Sequence, residues 1–315
     1  MSKVIKENPL VSILIPTFNR EAYISETISS ALAQTYQNIE VIVVDNASSD
    51  NTWEVCKHFS DLDPRVKTYR NEKNIGPVNN WRRCISCASG QYAKILWSDD
   101  LISNDYVEKT IRCFNDDVAF VFTSVVISDS FDKKDNIFYQ YGETGLYPSI
   151  RYLHDAVITE KLPVSPGCAL FRLSDLKYNL VNDIDSPSFN DFANHGAGPD
   201  ILLFLLTALH YPYIGFVNEP LSFFREHDGS ISLTMRKIDL YDRYQQAKLW
   251  FSYHYLPNEI QRQLSSITWG QRSLLTKKIN RFSMIKSIYG DKINTPSMLE
   301  VVKFFLTKIY SKLFK

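Results

Sequence analysis

The strongest constraint on the fold is a repeated alternation of short apolar runs with segments of helical periodicity. The apolar runs are rich in β-branched residues and predict buried strands, whereas apolar residues at three- and four-residue spacing between them predict helices. Such alternation builds a mostly parallel α/β sheet with helices on both faces. The predicted strands of the first half cover residues 11–18, 39–44, 66–69, 92–97 and 118–127.

The second half of the chain is less regular. Residues 131–147 predict a loop or hairpin, and residues 182–198 have the Asp, Asn, Ser, Gly and Pro composition of an exposed loop. The uncharged residues 201–218 include His210 and Pro212 and are short for a bilayer, so they predict a buried helix followed by a strand. The remaining predicted elements are a helix at 148–160, a strand at 167–172 and helices from about 236 onward.

Charge is balanced over the whole chain but not along it. The 35 Lys and Arg equal the 35 Asp and Glu, which argues against a protein that coats nucleic acid. Residues 236–315 hold 15 Lys and Arg against 5 Asp and Glu, a net charge of +10, whereas residues 1–235 hold 20 against 30, a net charge of −10. We therefore expect a domain at 1–235 and a separate basic helical region at 236–315.

The five cysteines are few for this length and odd in number. Residues 11–18 are apolar, but they are too short and too interrupted by Pro16 for a secretory leader. Reduced thiols in the cytoplasm are therefore expected. Cys84 and Cys87 form an isolated C-x-x-C, for which packing on a helix is favoured over metal or redox chemistry.

Polar clusters follow four regions of the chain where predicted strands end. Taken singly, Asn, Ser and Asp at such places are ordinary turn and cap residues. Together they favour a ligand site, because parallel sheets bind ligands at the carboxyl ends of their strands. The clusters are PTFNR at 16–20, DNASSD at 45–50, NIGPVNNW at 74–81 and SDD at 98–100.

These four clusters, in this order, resemble the motifs of the family 2 glycosyltransferases. The resemblance covers about residues 11–232 and includes, more loosely, GPDILL at 198–203 and FFREHDGSIS at 223–232. It implies the GT-A nucleotide-sugar-binding fold, followed by a C-terminal helical extension that matches no family. It also implies transfer of a sugar from a nucleotide donor with inversion at the anomeric carbon.

The resemblance assigns nucleotide-binding roles to residues in the clusters. Asp45 would accept the imide N–H of a uracil-type base, and Asp99 would contact the ribose. UDP is the default nucleotide, with dTDP, CDP and GDP left open. The other nucleotide-binding positions implied are Pro16, Thr17, Asn19, Asn74, Gly76 and Asn80.

A divalent metal is expected at the same edge of the sheet. Breaking the anomeric C–O bond leaves a diphosphate with additional negative charge, which Mg²⁺ or Mn²⁺ stabilises. One or two carboxylates suffice as protein ligands for such cations. The resemblance places the metal ligand at Asp100, with Ser98 where many relatives have Asp. Arg225 and His227 match an R-x-H pattern that approaches the diphosphate or metal, and a surface histidine is the structural alternative.

The reaction also needs a base, because a sugar hydroxyl is a poor nucleophile until its proton is removed. A positioned carboxylate contributes about 10²–10⁴-fold. By resemblance this base is Asp200, at the start of a helix, with Asp191 as the rival and helix capping as the structural alternative. Trp97, Asp191 and His195 are candidates for the acceptor side.

Residues 297–315 predict a basic amphipathic helix. Such a helix suits an anionic membrane surface, whereas its apolar stripe could instead pack on the protein's own helices or on a second subunit. The stripe consists of Leu299, Val302, Leu306, Ile309 and Leu313, with Lys308, Lys312 and Lys315 roughly opposite.

The favoured interpretation is an inverting, metal-dependent glycosyltransferase. Its acceptor would be a lipid-linked surface glycan such as O-antigen or capsule, at the inner face of the cytoplasmic membrane. A sugar nucleotidylyltransferase is one alternative, but it needs a glycine-rich basic loop that PTFNRE does not provide. A non-catalytic glycan-binding or scaffold protein is the other, against which the intact Asp45, Asp99, Asp100 and Asp200 argue.

Overall fold

A computed structural model describes residues 8–129, 136–159, 161–185, 192–227, 235–276, 286, 289–290, 294 and 298–313. The strands are β1 Val11–Thr17, β2 Ile39–Asp45, β3 Val66–Arg70, β4 Tyr92–Ile95, β5 Leu101–Ile102, β6 Val118–Ser128, β7 Ile137–Phe138, β8 Gly145–Pro148, β9 Ala169–Arg172 and β10 Tyr213–Arg225. The helices are α1 Ile24–Leu32, α2 Thr52–Leu62, α3 Pro77–Cys87, α4 Tyr106–Ile111, α5 Ser149–Ile158, α6 Leu173–Asn179, α7 Pro199–Ala208, α8 Lys237–Tyr255, α9 Asn258–Thr276 and α10 Met298–Leu313.

All ten strands belong to one sheet. Eight of them follow the order β3-β2-β1-β4-β9-β6-β10-β5, while β7 pairs with β6 and β8 pairs with β10. The half formed by β3, β2, β1 and β4 is parallel throughout. Beyond it, β9 lies antiparallel between β4 and β6, and β10 runs parallel to β6. The predicted α/β fold with a central sheet is therefore confirmed, and the parallel half is the part that the strand–helix alternation had indicated.

Helices cover both faces of the sheet, which explains why its central strands are apolar on both sides. Along β1, the side chain of Leu14 joins one core together with α3 and α7, whereas Ile13 and Ile15 join the other core with α1. Side chains of successive strand residues point to opposite faces, so a strand buried on both faces reads as a continuous apolar run.

The region predicted as a buried helix and strand has this structure. Every residue of α7 is buried, and β10 follows it after a short turn. Within the part of the chain that the structure describes, no helix is long and apolar enough to span a membrane. The five cysteines are free thiols, and Cys84 is packed in the core.

Part of the segment 182–198, which was predicted to be an exposed loop, is buried: among its described residues these are Ile184, Phe192 and residues 196–198. The ring of Phe192 is fully buried, and it lies against the backbone of Gly198, where a Cβ would come within 2.9 Å of it. Gly198 has φ +115°, a conformation that favours glycine. This tight turn directs the chain into α7 and positions the start of that helix.

The C-terminal helices pack onto the sheet domain. Helix α8 lies against α7, α9 packs on α5 and α8, and α10 packs on α9. The predicted helical character from residue 236 onward is confirmed for the described residues.

Candidate functional site

A cavity of about 730 Å³ lies at the carboxyl ends of the parallel strands. Thr17 ends β1, Asn46 follows β2, and Ser98 to Asp100 follow β4, so three neighbouring strands contribute to its wall. The cavity also includes Asp200 from the start of α7. Among the residues predicted from sequence, the cavity brings together Pro16, Thr17, Asn74, Gly76, Trp97, Asn80, Asp99, Asp100, His195, Asp200 and Arg225.

Thr17 offers an unused hydrogen-bonding group in this wall. Its side chain is 2% exposed, and its Oγ1 has no hydrogen-bond partner among the described residues. A buried hydroxyl without a partner is costly unless a ligand or water satisfies it. The hydroxyl therefore fits a polar ligand in the cavity.

Four asparagines build the adjacent wall through their side-chain amides. Asn46 Nδ2 donates to Asn74 Oδ1 at 2.9 Å, and Asn71 Nδ2 donates both to Asn46 Oδ1 at 2.8 Å and to Asn80 Oδ1 at 2.9 Å. The backbone N–H of Gly76 also donates to Asn74 Oδ1, at 2.9 Å. This network fixes the 74–76 segment, whose Gly76 has φ +82° and precedes α3, so Asn74 and Asn80 shape the wall as well as line it.

Asp45 lies behind that wall. Its carboxylate is fully buried, accepts hydrogen bonds from the N–H and Oγ of Ser48, and forms an ion pair with Arg70 at 3.1 Å. The neighbouring side chain on the cavity is Asn46. Asn19 also lies away from the cavity wall, where its Oδ1 accepts from the N–H of Ser49 at 2.9 Å.

Asp99 and Asp100 form an acidic corner of the same cavity. Asp99 Oδ2 accepts from Arg20 Nε at 3.0 Å and lies 3.0 Å from His227 Nε2. The backbone N–H of Arg225 donates to Asp100 Oδ1 at 2.9 Å, and Arg225 Nε donates to the carbonyl of Asp99 at 3.0 Å. Burial, together with the like charge of Asp99, raises the pKa of Asp100 well above its ordinary value. A cation bound here would remove that penalty.

The donor set of this corner fits a hard divalent cation. Within the described residues, Asp99 Oδ1 and Asp100 Oδ2 accept no hydrogen bond, so each carboxylate keeps one oxygen for a metal. No ready-made group of three His, Cys, Asp or Glu ligands occurs in the described part of the chain. Two carboxylates with substrate phosphates completing the coordination sphere match what Mg²⁺ commonly uses.

Asp200 also lines the cavity and is held by three donors. Its Oδ1 accepts from the backbone N–H groups of Gly198 at 2.9 Å and Ile201 at 2.7 Å, and its Oδ2 accepts from the hydroxyl of Tyr244 at 2.7 Å. Burial raises the pKa of Asp200 to about 7 in spite of these hydrogen bonds. A carboxyl group with a pKa near neutrality is suited to general acid–base chemistry.

Two tryptophan rings also line the cavity. Trp81 and Trp97 contact each other with centroids 4.8 Å apart, and Trp97 Nε1 donates to Ser165 Oγ at 2.8 Å. Gly196 has φ +78°, and a Cβ there would lie 2.2 Å from the Trp81 ring, so glycine permits this close approach. Of the acceptor-side candidates, Trp97 and His195 line the cavity, and Asp191 lies outside the described residues.

Sequence reasoning did not single out several residues of the cavity. Asn46 belongs to the DNASSD cluster and Trp81 ends the NIGPVNNW cluster, so the sequence indicated their regions but not these two residues. Leu240 and Tyr244 belong to α8, in the basic region, and had none. They reach the cavity through tertiary packing alone.

Comparison with known proteins agrees with this geometry. Residues 12–179, more than half of the chain, match the model of the family described as Glycosyl transferase family 2. The glycosyltransferase GlyG of Streptococcus pneumoniae serotype 4 is 31% identical over 229 residues, which are 71% of this chain and 73% of GlyG.

Solved structures share the fold. S. aureus TarS 1-349 in complex with UDP-GlcNAc superposes with a TM-score of 0.57 at 16% identity, covering 84% of this chain and 81% of that one. The mannosyltransferase PcManGT of Pyrobaculum calidifontis, in complex with GDP-Man and Mn²⁺, gives a TM-score of 0.54 at 15% identity, covering 98% and 82%. At these identities the similarity establishes a common architecture.

Proposed function

Because this chain belongs to glycosyltransferase family 2 and is a glycosyltransferase, we propose that it moves a sugar from a nucleotide donor to an acceptor hydroxyl by a metal-dependent, inverting displacement. The observation that carries the proposal is that one cavity is lined by Asn46, Asn74 and Asn80 of the asparagine network, by Asp99 and Asp100, and by Asp200. An inverting transfer needs a base and a leaving-group site in one cavity, since the base and the leaving group act on opposite sides of the anomeric carbon.

The proposed nucleotide-binding residues lie at the strand termini and in the asparagine network. Thr17 presents its unpartnered hydroxyl there, and Asn74, Gly76 and Asn80 form the adjoining surface. Neighbours of this fold were solved with UDP-GlcNAc and with GDP-Man, which supports a nucleotide sugar as the donor. UDP remains the first nucleotide to test, with dTDP, CDP and GDP as the others. The base contact proposed for Asp45 would require its bonds to Ser48 and Arg70 to rearrange.

The acidic corner would stabilise the leaving group, and Asp200 would act as the base. Asp100, the expected metal ligand, would hold Mn²⁺ or Mg²⁺ together with Asp99, for which the resemblance implied a ribose contact, and the ion would supply positive charge to the departing diphosphate. Arg225 fixes both aspartates through its backbone and guanidinium groups. His227, also expected at the metal or diphosphate, lies 3.0 Å from Asp99 Oδ2 and would instead hold that carboxylate in place. Asp200 takes the proton of the acceptor hydroxyl as the new bond forms, and its pKa of about 7 keeps enough carboxylate available at neutral pH.

A nucleotide panel tests the proposal directly. UDP with Mn²⁺ at saturating concentration is expected to raise the melting temperature by about 5 °C, because a ligand at 100 times its Kd stabilises the folded state by about 2.7 kcal/mol. CDP, GDP and dTDP, each with and without Mn²⁺, serve as comparisons in the same thermal-shift measurement. Absence of a response to every nucleotide at saturation would contradict the proposed donor class.

The C-terminal helix α10 supports an acceptor at a membrane surface. Its inner side packs on α9, where Trp269 contacts Phe305 and Gly270 contacts Phe304, and Val301 is 6% exposed. Its outer side leaves Leu299, Val302 and Leu306 exposed by 64%, 49% and 59%. The sequence continues this basic helix with Lys308 and Lys312. We therefore propose that the outer stripe binds an anionic bilayer on which a lipid-linked surface glycan is presented.

Charge substitution of the outer stripe tests this attachment. The double variant Val302→Glu and Leu306→Glu should lower the affinity for vesicles containing anionic phospholipid by more than about tenfold, since burying each apolar side chain contributes about 1.5–3 kcal/mol. Co-sedimentation measures the affinity. Leu62→Glu, which changes an exposed leucine on α2, is the matched control. Equal binding by the double variant and the control would refute membrane attachment through α10.

A further inference from the structure

We propose that Tyr244, on helix α8 of the basic C-terminal region, is a positioning residue that orients the carboxylate of Asp200 for proton transfer. This inference rests on the proposed function, because it concerns the residue assigned as the base. It extends the site to the C-terminal helical region at 236–315, which the sequence resemblance does not cover. The C-terminal helices would thereby complete the active site.

The hydrogen bonds of Asp200 fix the plane of its carboxylate. Oδ1 is held by two backbone N–H groups of its own helix start, from Gly198 and Ile201, at 2.9 and 2.7 Å. Oδ2, the oxygen left free by the helix, is held by the hydroxyl of Tyr244 at 2.7 Å. Capping of the helix needs only the hydrogen bonds from the backbone N–H groups to Oδ1. The second contact comes from 44 residues further along the chain and reaches an oxygen on the cavity wall.

Helix α8 is anchored so that Tyr244 keeps this position. On the α9 side, Arg272 Nε forms an ion pair with Asp242 at 3.1 Å, and Gln245 accepts from Thr268 Oγ1 at 3.0 Å. On the cavity side, the neighbouring Arg243 donates from Nε to His195 Nε2 at 2.5 Å. Residues on either side of Tyr244 are therefore fixed to two different parts of the fold. A phenol held in this way directs its hydroxyl without a large loss of entropy on binding substrate.

The surroundings of Asp200 leave Tyr244 as its main polar partner apart from the backbone. The hydroxyl of Tyr139 is a further titratable group that interacts with Asp200: burial raises the pKa of Tyr139, and Cys168 and Asp200 add to the rise. The ring of His195 lines the same cavity. Burial raises the pKa of Asp200, whereas the hydrogen bond from Tyr244 opposes that rise. Loss of the phenol hydroxyl should therefore make the carboxyl group harder to ionise.

The test is the pH profile of kcat/KM for Tyr244→Phe in the full-length enzyme. The acid limb of wild type should follow ionisation of Asp200 near pH 7. In the variant it should move upward by about one pH unit, the amount expected for one lost hydrogen bond to a charged group, with donor KM unchanged. Tyr211→Phe is the matched control, because Tyr211 donates to the partly buried Asp175, which does not line the cavity. The acid limb of this variant should coincide with that of wild type.

A second replacement covers failure of Tyr244→Phe to fold. Site-specific exchange of Tyr244 for 3-fluorotyrosine keeps the shape but makes the phenol a stronger donor, so the acid limb should move downward. A loss of activity by the same factor at every pH, with the limb unmoved in both variants, would overturn the positioning role. Asp200→Asn in the same assay distinguishes failure of the proposed base from failure of the positioning role. Full activity of Asp200→Asn would reject Asp200 as the base and, with it, this inference. If Asp200→Asn is inactive and the acid limbs of both Tyr244 variants stay with wild type, only the role of Tyr244 is rejected.

Discussion

Asp200→Asn is expected to lower kcat by about 10²–10⁴-fold, the usual contribution of a positioned general base. The substitution keeps the shape of the side chain, so the N–H groups of Gly198 and Ile201 retain their acceptor and Tyr244 retains a partner. The donor is proposed to bind at the asparagine network and the acidic corner, so the affinity for the donor should not change. Steady-state kinetics with the donor identified by the nucleotide panel, together with thermal shifts by the nucleotide, measure both expectations.

The same variant should be more stable than wild type at alkaline pH. The pKa of Asp200 is about 7 in the folded state against an ordinary pKa of 3.8 for aspartate, so the folded protein binds the proton more tightly than the unfolded chain. Stability of wild type therefore falls as pH rises from about 4 to about 7 and is constant above. This cost is on the order of 4 kcal/mol, and Asn does not incur it. Urea unfolding of both proteins at pH 4 and pH 8 should show the difference only at pH 8.

Asp175→Asn is the control for both measurements. Asp175 is partly buried, which raises its pKa, and it also accepts from a tyrosine hydroxyl, that of Tyr211 at 3.0 Å, but it is not on the cavity. It should gain stability at pH 8 without losing activity. If Asp200→Asn retained activity within threefold of wild type, or lost no more than Asp175→Asn, Asp200 would not be the base.

The parallel half of the sheet explains why much of the site was predictable. Carboxyl ends of adjacent parallel strands meet at one edge, so residues that are far apart in sequence converge once the strands are recognised. Thr17 and Asp100 are separated by 83 positions and line one cavity for this reason. Asn74 follows β3 and is drawn in by its bond to Asn46.

Side-chain direction at the strand ends was less predictable. Asp45 is the last residue of β2 and is turned inward to Ser48 and Arg70, whereas Asn46, one residue further, lies on the cavity. Successive residues face opposite ways at the end of a strand, so an error of one position exchanges the buried and the exposed side chain. The identity of the two residues does not reveal which of them faces the ligand.

Strand order and long-range helix packing were also beyond local pattern. β9 lies antiparallel between β4 and β6, and this placement depends on pairing between segments that are far apart in the sequence. Tyr244 is one of 18 tyrosines in the chain, and its sequence neighbours resemble those of any surface helix. Its importance arises from the packing of α8 on α7, which brings its hydroxyl to Asp200.

Asp100→Asn is expected to reduce kcat by more than about 100-fold and to remove the Mn²⁺-dependent part of nucleotide binding. Loss of an outer-shell partner of a metal ligand commonly costs 10–100-fold, and loss of a ligand itself should exceed that. The amide keeps an oxygen for the N–H of Arg225 but cannot supply the negative charge on the second oxygen. The measurements are kcat as a function of Mn²⁺ concentration and thermal shifts by UDP with and without Mn²⁺.

Protein stability separates this loss from unfolding. Burial and the neighbouring Asp99 raise the pKa of Asp100, so the ionised carboxylate is costly in the metal-free protein and the amide should be at least as stable at neutral pH. Asp105→Asn, which removes a partly exposed carboxylate bonded to Lys109 away from the cavity, is the control and should keep the Mn²⁺ response. A stable Asp100→Asn protein with a wild-type dependence on Mn²⁺ would show that the metal is held elsewhere, and the two oxygens left free at Asp99 and Asp100 would then need another ligand.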